Sequence, residues 1–176
     1  MIAMSHIGLC VSDVDRSVVF YTKALGAQEF NKIEMTGYIN PGYQSVLMEI
    51  PEDTDTTSKF IGLDWLLIEL LYYTRKGKPG GHVGAPQRRP MNGLGYTHLG
   101  LRIADLDEYE GILKKVEQFG GEVLHQTRFT CATFQGEAIE SMFVTDPDGT
   151  RLELMRIPKE MPTGQVRIVP GRLEKL

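Results

Sequence analysis

Apolar and polar positions change period several times along this chain, and the changes mark its elements. A strand-like apolar run covers residues 3–11. Val14, Val18, Tyr21 and Leu25 then fall on one face of a helix, with Ser12 and Asp13 as its cap and Gly26 as its stop. Residues 28–34 read as a second strand. The period is lost over residues 36–57, which hold Gly37, Pro41, Gly42, Pro51 and a polar run; this is expected to be a long excursion with one helical turn at 43–49. Residues 58–63 and 66–73 predict a hairpin turning at Asp64 and Trp65. Between 75 and 95, Gly and Pro alternate with Lys and Arg, and no regular structure is expected.

The same plan then returns. A strand is predicted over 96–103 and a cap at Asp105. A helix over 106–119 follows, burying Leu106, Tyr109, Ile112, Leu113, Val116 and Phe119 and ended by Gly120 and Gly121. Strands are predicted over 122–129, 139–145 and 151–156, with a turn at Asp146, Pro147, Asp148 and Gly149. The tail is expected to be irregular apart from an edge strand at 165–169. Each half reads as strand, helix and three strands. The sum is an α+β fold of paired βαβββ modules: residues 1–74, a linker at 75–95, residues 96–157 and a tail at 158–176.

The repeat is visible in the letters too. His6-Ile7-Gly8-Leu9-Cys10-Val11-Ser12-Asp13-Val14-Asp15 returns as His98-Leu99-Gly100-Leu101-Arg102-Ile103-Ala104-Asp105-Leu106-Asp107, and Ile68-Glu69-Leu70 answers to Leu152-Glu153-Leu154. Glu69 and Glu153 each lie between apolar neighbours, where an uncompensated carboxylate costs several kcal/mol. Alone, any one of these residues is better read as a satisfied core His or a solvent-facing Glu. Recurrence at equivalent places tips the reading: two imidazoles and two carboxylates form a candidate donor set that neutralises one divalent cation. Strand alternation puts Cys10 on the face of His6 and Arg102 on the face of His98.

Composition changes this picture little. The 176 residues carry a net charge of -4, with 41% hydrophobic and 24% charged positions, the profile of a globular chain without a basic footprint for nucleic acid. No run spans a bilayer and no leader is visible, so neither a membrane nor nucleic acid is an expected partner, and a cytoplasmic location is. Cys10 and Cys131 have neither metal nor disulfide spacing.

The chain resembles the vicinal oxygen chelate superfamily, which includes glyoxalase I, methylmalonyl-CoA epimerase, extradiol dioxygenases and resistance proteins. The likeness covers residues 3–157. It rests on the helix from Asp15 to Gly26, on Thr97-His98-Leu99-Gly100-Leu101-Arg102, and on Asp146-Pro147-Asp148-Gly149 followed by Leu152-Glu153-Leu154. The resemblance implies a curled eight-stranded metal-binding cleft with ligands at His6, Glu69, His98 and Glu153. It implies zinc, nickel, cobalt, manganese or iron as the divalent ion. Glu153 and Glu69 are then the candidate catalytic carboxylates, and Arg102 and Cys10 the candidate substrate-binding residues.

Departures narrow the reading. Bacterial glyoxalase I holds glutathione with an Arg four residues after its first His and an Asn four residues after its first Glu; here Cys10 and Tyr73 stand there. The epimerase has a Gln where Glu69 stands and a Glu base on its third strand, near Lys59 in this chain, but it shares an Arg at the place of Arg102. Extradiol dioxygenases leave the Glu69 position non-ligating. The expectation is a metal-dependent lyase, isomerase or epimerase moving a proton next to a carbonyl of a small anionic substrate. An iron-dependent dioxygenase and a resistance-type sequestering protein are the alternatives. Edge strands and apolar faces also predict a homodimer.

Overall fold

The structure, a computed structural model, describes residues 5–30, 53–64, 66–75, 78–82, 90–132 and 138–157. The expected helical turn at 43–49, the tail and its edge strand lie outside these residues. The chain divides into two compact units, residues 1–87 and 88–176.

In the first unit β1 (Ile7–Cys10), α1 (Val14–Lys23), β2 (Gln28–Phe30), β3 (Thr54–Leu63), β4 (Leu66–Arg75) and β5 (Lys78–His82) follow in order. They build a five-stranded sheet in the order β1-β4-β3-β2, with β5 also on β4. The first strand is parallel to β4, and the ladder sets Gly8 opposite Glu69. The Asp13 side chain caps α1 by accepting the Arg16 amide at 3.0 Å. Val14, Val18, Phe20 and Tyr21 are buried with Ile61, Ile68 and Leu70 of the sheet, so one sheet face is the core of this unit.

The second unit repeats the arrangement with β6 (Leu99–Ile103), α2 (Leu106–Gln118), β7 (Glu122–Val123), β8 (Phe129–Ala132), β9 (Ala138–Thr145) and β10 (Arg151–Arg156). The order is β6-β10-β9-β7, with β8 also on β9. Strands β6 and β10 are parallel, and Gly100 lies opposite Glu153. Asp105 accepts the Glu108 amide at 2.9 Å, as Asp13 does in the first unit. Tyr109, Leu113 and Val116 are buried, as are Met142, Val144, Leu152 and Leu154. The turn after β9 forms as expected: Asp146 accepts the amides of Asp148 and Thr150, and Gly149 takes φ 86°.

Four expectations need correction. Strand β3 begins at Thr54 rather than Ser58, because Thr54, Thr56 and Thr57 pair with Arg75, Tyr73 and Tyr72; β-branched residues opposite aromatic ones favour a ladder despite their polarity. The Gly- and Pro-rich stretch after Arg75 contains β5, an edge strand whose register shifts at Thr74 and Arg75, the place where Pro79 is tolerated. The expected strand over 122–129 is broken by a 3-10 turn at His125–Thr127. The Thr127 hydroxyl accepts the Phe143 amide at 2.9 Å and donates to the Leu124 carbonyl at 2.7 Å, replacing the ladder there. Leu106, expected in the core, is 46% exposed in the first turn of α2.

Candidate metal centre

Each sheet keeps one face for its helix and shows donors on the other. On β4, Leu66, Ile68 and Leu70 are buried while Leu67, Glu69 and Leu71 are half-buried; on β10, Leu152 and Leu154 are buried while Glu153 is not. That alternation turns both glutamates away from the cores.

In the first unit His6 Nε2 lies 3.3 Å from Glu69 Oε2. The other carboxylate oxygen, Oε1, accepts the Ser58 hydroxyl at 2.7 Å, and the other ring nitrogen, Nδ1, lies 3.1 Å from Ser5 Oγ. Phe60, directly opposite Glu69 in the ladder, meets the His6 ring edge-on at 5.9 Å. The second unit reproduces every part. His98 Nε2 lies 3.1 Å from Glu153 Oε2, and Glu153 Oε1 accepts Ser141 Oγ at 2.7 Å. His98 Nδ1 lies 2.9 Å from Thr97 Oγ1, and Phe143, opposite Glu153, meets the His98 ring at 5.1 Å.

These pairs fit a metal on chemical grounds. Two adjacent ligands about 2.1 Å from one ion stand about 3 Å apart, the spacing of each Nε2–Oε2 pair. With Nδ1 on a hydroxyl and Oε1 on a serine, the atoms left facing each other are one imidazole nitrogen and one carboxylate oxygen. Among the described residues the donors meet in twos, and no group of three or more His, Cys, Asp or Glu side chains forms a cluster of metal size.

The other sequence candidates are placed as follows. Cys10 is exposed on the site face of β1. Tyr73 is close enough to feel it: burial pushes the Tyr73 phenol above its ordinary pKa, and the charges of Cys10 and Glu69 push it further. Arg102 is exposed on β6, and its Nε donates to the Ile157 carbonyl at 3.1 Å. Lys59 is not on the site face. It pairs opposite Leu70 and binds Asp15 of α1 at 2.7 Å, and that hydrogen bond, aided by the charges of Asp15 and Glu29, raises its pKa against the effect of burial.

Ser58, Ser141, Ser5 and Thr97 were not singled out by the sequence reading. Their signal was present: a hydroxyl precedes each His, and Ser-x-Phe recurs as Ser58-Lys59-Phe60 and Ser141-Met142-Phe143.

Two βαβββ-type units, each presenting a His just ahead of its first strand and a Glu on the strand parallel to it, define an α+β protein of the glyoxalase fold. The chain belongs to the Glyoxalase/Bleomycin resistance protein/Dioxygenase superfamily, whose family model matches residues 3–154. It is 28% identical to the lactoylglutathione lyase of Escherichia coli O157:H7, over 85% of this chain and 89% of that protein. It is 27% identical to a probable chloroplastic lactoylglutathione lyase of Arabidopsis thaliana over 98% of this chain, which spans only 41% of that protein. Among solved structures, a glyoxalase family protein from Bacillus cereus is similar at a TM-score of 0.63 and 14% identity, covering 89% of this chain and 94% of that one. A variant of the fosfomycin resistance protein FosX from Listeria monocytogenes, solved with Mn(II) and a dihydroxypropylphosphonic acid, is similar at 0.53 and 21% identity, covering 91% and 96%. These two likenesses are of fold. No helix among the described residues is long and apolar enough to cross a membrane.

Proposed function

We propose that this chain is a metal-dependent lyase, isomerase or epimerase of the glyoxalase type, which moves a proton next to a carbonyl of a small anionic substrate. One observation carries the reading: the duplicated pair, His Nε2 facing Glu Oε2 at 3.3 and 3.1 Å, each with its remaining polar atoms tied to hydroxyls. His6, Glu69, His98 and Glu153 would together hold one divalent ion, whether zinc, nickel, cobalt, manganese or iron. When bound, such an ion polarises a carbonyl and the oxygen beside it.

The chain's own residues do the rest. Glu153 or Glu69 takes the proton from the carbon between the two oxygens, through Oε2 once that oxygen is released from its role as a ligand, since Oε1 is occupied by a serine in both units. Arg102 meets the anionic end of the substrate, and Cys10 lines the site face of the first unit. Cys10 and Tyr73 supply neither the cation nor the amide that holds glutathione in bacterial glyoxalase I, which favours a substrate other than a glutathione adduct. Glu69 has the same partners as Glu153, which favours a four-donor set over the three-donor arrangement of an iron dioxygenase. The functional form is a homodimer.

Metal analysis of protein purified without chelator is the first test, with one ion per chain expected and most of it lost in His98→Ala. Full metal with unchanged affinity in His98→Ala overturns the assignment. Incubation in deuterated water with 2-oxo acids, 2-hydroxy aldehydes and acyl-CoA thioesters should show exchange at the α-carbon that disappears in Glu153→Gln. Oxygen uptake on catechols with iron alone, and exchange with none of these substrates, overturns the proton-transfer reading. Sedimentation at micromolar concentration checks the dimer.

A further inference from the structure

We infer that Ser58 and Ser141 are positioning residues of the metal centre, each holding one glutamate so that a single carboxylate oxygen is offered as a ligand. The inference rests on the four-donor reading above.

Both serines bond the carboxylate oxygen other than the one that faces the imidazole. Each donates its hydroxyl to Oε1, at 2.7 Å in both units, and each is half-buried or better: Ser141 is 0% exposed, and the bond of Ser58 is partly buried. Hydrogen bonds to an ionised acceptor are among the stronger ones, and a bond of this length with little solvent competition fixes the carboxylate's rotation. The serines reach this place through the ladder. Ser58 stands opposite Leu71 and Ser141 opposite Met155, the residues two positions beyond each glutamate on the same face. Each lies one strand away from its glutamate, on an element that carries none of the four donors.

The same bond bears on how many ligand positions the glutamates fill. Four donors using one atom each leave two of six positions for the two oxygens of a substrate, whereas two glutamates binding through both oxygens would fill all six. A serine on Oε1 opposes that second mode. The sequence contains the device twice, in Ser58-Lys59-Phe60 and Ser141-Met142-Phe143, with the phenylalanine of each motif packed on the imidazole that its serine's glutamate faces. Hydroxyl and ring therefore orient the two ligands of a pair from one strand.

The test is zinc affinity by competition with a chromophoric chelator, measured on Ser58→Ala, Ser141→Ala, Ser58→Thr and His98→Ala. Thermal melts of the apo forms show that each variant is folded. Loss of an outer partner of a metal ligand weakens binding by about 10- to 100-fold, and that is the expected change in each Ala variant. Ser58→Thr keeps the hydroxyl on a strand that accepts a β-branched residue, and should return to within a few-fold of the parent. Ala variants that bind zinc as the parent does, while His98→Ala loses it, overturn the inference and leave the metal reading standing. So does a Ser58→Thr as weak as Ser58→Ala, because the hydroxyl is then not the cause. Unchanged affinity in His98→Ala overturns the metal reading and the inference with it.

Discussion

Replacing Gly100 by Ala should make the protein more stable and less active. Gly100 lies in β6 directly opposite Glu153, between His98 and Arg102 on the site face. A Cβ built there meets no atom within 4 Å, so the methyl costs no packing strain. Glycine in a strand costs roughly 0.5–1 kcal/mol relative to alanine through chain entropy, and that amount is recovered. For a chain of this size the gain raises Tm by about 1–4 °C. On the proposed function the open space is where a substrate would approach Glu153, however, and misplacing reacting groups by about 1 Å already costs on the order of 100-fold in rate. Melting by calorimetry, zinc titration and α-proton exchange separate the effects: higher Tm, unchanged metal affinity and lost turnover. Gly8→Ala is the matching change opposite Glu69 in the first unit, where the new Cβ lies 3.4 Å from Leu71 Cδ1, an ordinary contact. A lower Tm in Gly100→Ala, or turnover equal to the parent's, refutes the reasoning.

Other outcomes follow from the fold. Tyr109 is fully buried, its hydroxyl has no hydrogen-bond partner among the described residues, and burial lifts its pKa to about 12. Tyr109→Phe removes the orphaned hydroxyl and should stabilise by about 1 kcal/mol in urea melts. In the parent, both states keep the phenol proton below about pH 10, whereas between there and about 12 the unfolded chain loses it first; stability should therefore fall across that window by on the order of 2 kcal/mol, and the Phe variant should lack the fall. Asp105→Ala removes the cap of α2 and should cost about 1 kcal/mol, read by the same melts, with metal affinity unchanged. Saturating the apo protein with metal at about 100 times its Kd should add roughly 2.7 kcal/mol, reversed by chelator and seen as a higher Tm.

Much of the fold was legible because two kinds of local signal agreed. Asp13 and Asp105 cap their helices where the repeat puts them, and the apolar stripes of α1 and α2 face their own sheets. His6 stands beside Glu69 and His98 beside Glu153, since Gly8 and Gly100 align opposite the two glutamates. What failed was what period alone cannot weigh. The threonines of β3 look like loop, but they pair as strand once aromatic residues lie across from them. Residues 122–129 look like strand, but the Thr127 hydroxyl takes over part of the ladder. Lys59 lay near the expected base, yet a shift of one residue along a strand is a change of face, and it is Ser58 that turns toward Glu69. The serines escaped notice because a small hydroxyl in a strand has many ordinary uses, and only the carboxylate bonded to it shows which one applies.

Where the halves agree and where they differ separates two jobs. His6 matches His98, Glu69 matches Glu153, and the hydroxyls of Ser5, Ser58, Thr97 and Ser141 match in kind; these are the groups that the proposed donor set uses. Four residues beyond each His the halves part, with Cys10 in one and Arg102 in the other, and four beyond each Glu stand Tyr73 and Ile157. An ion accepts like donors from like places, so nothing drives those positions apart. A substrate with one anionic end and one neutral end has no such symmetry, and recognising it requires unlike walls. The phenol of Tyr73, raised by burial and by the charges of Cys10 and Glu69, suits an uncharged hydrogen-bonding end. The guanidinium of Arg102, anchored through Nε to the Ile157 carbonyl, suits the anionic one. On this argument Arg102→Ala should raise KM for an anionic substrate far more than it lowers kcat, and Tyr73→Phe, which loses one uncharged hydrogen bond, should raise that KM only several-fold; the reverse pattern would assign the two walls the other way round.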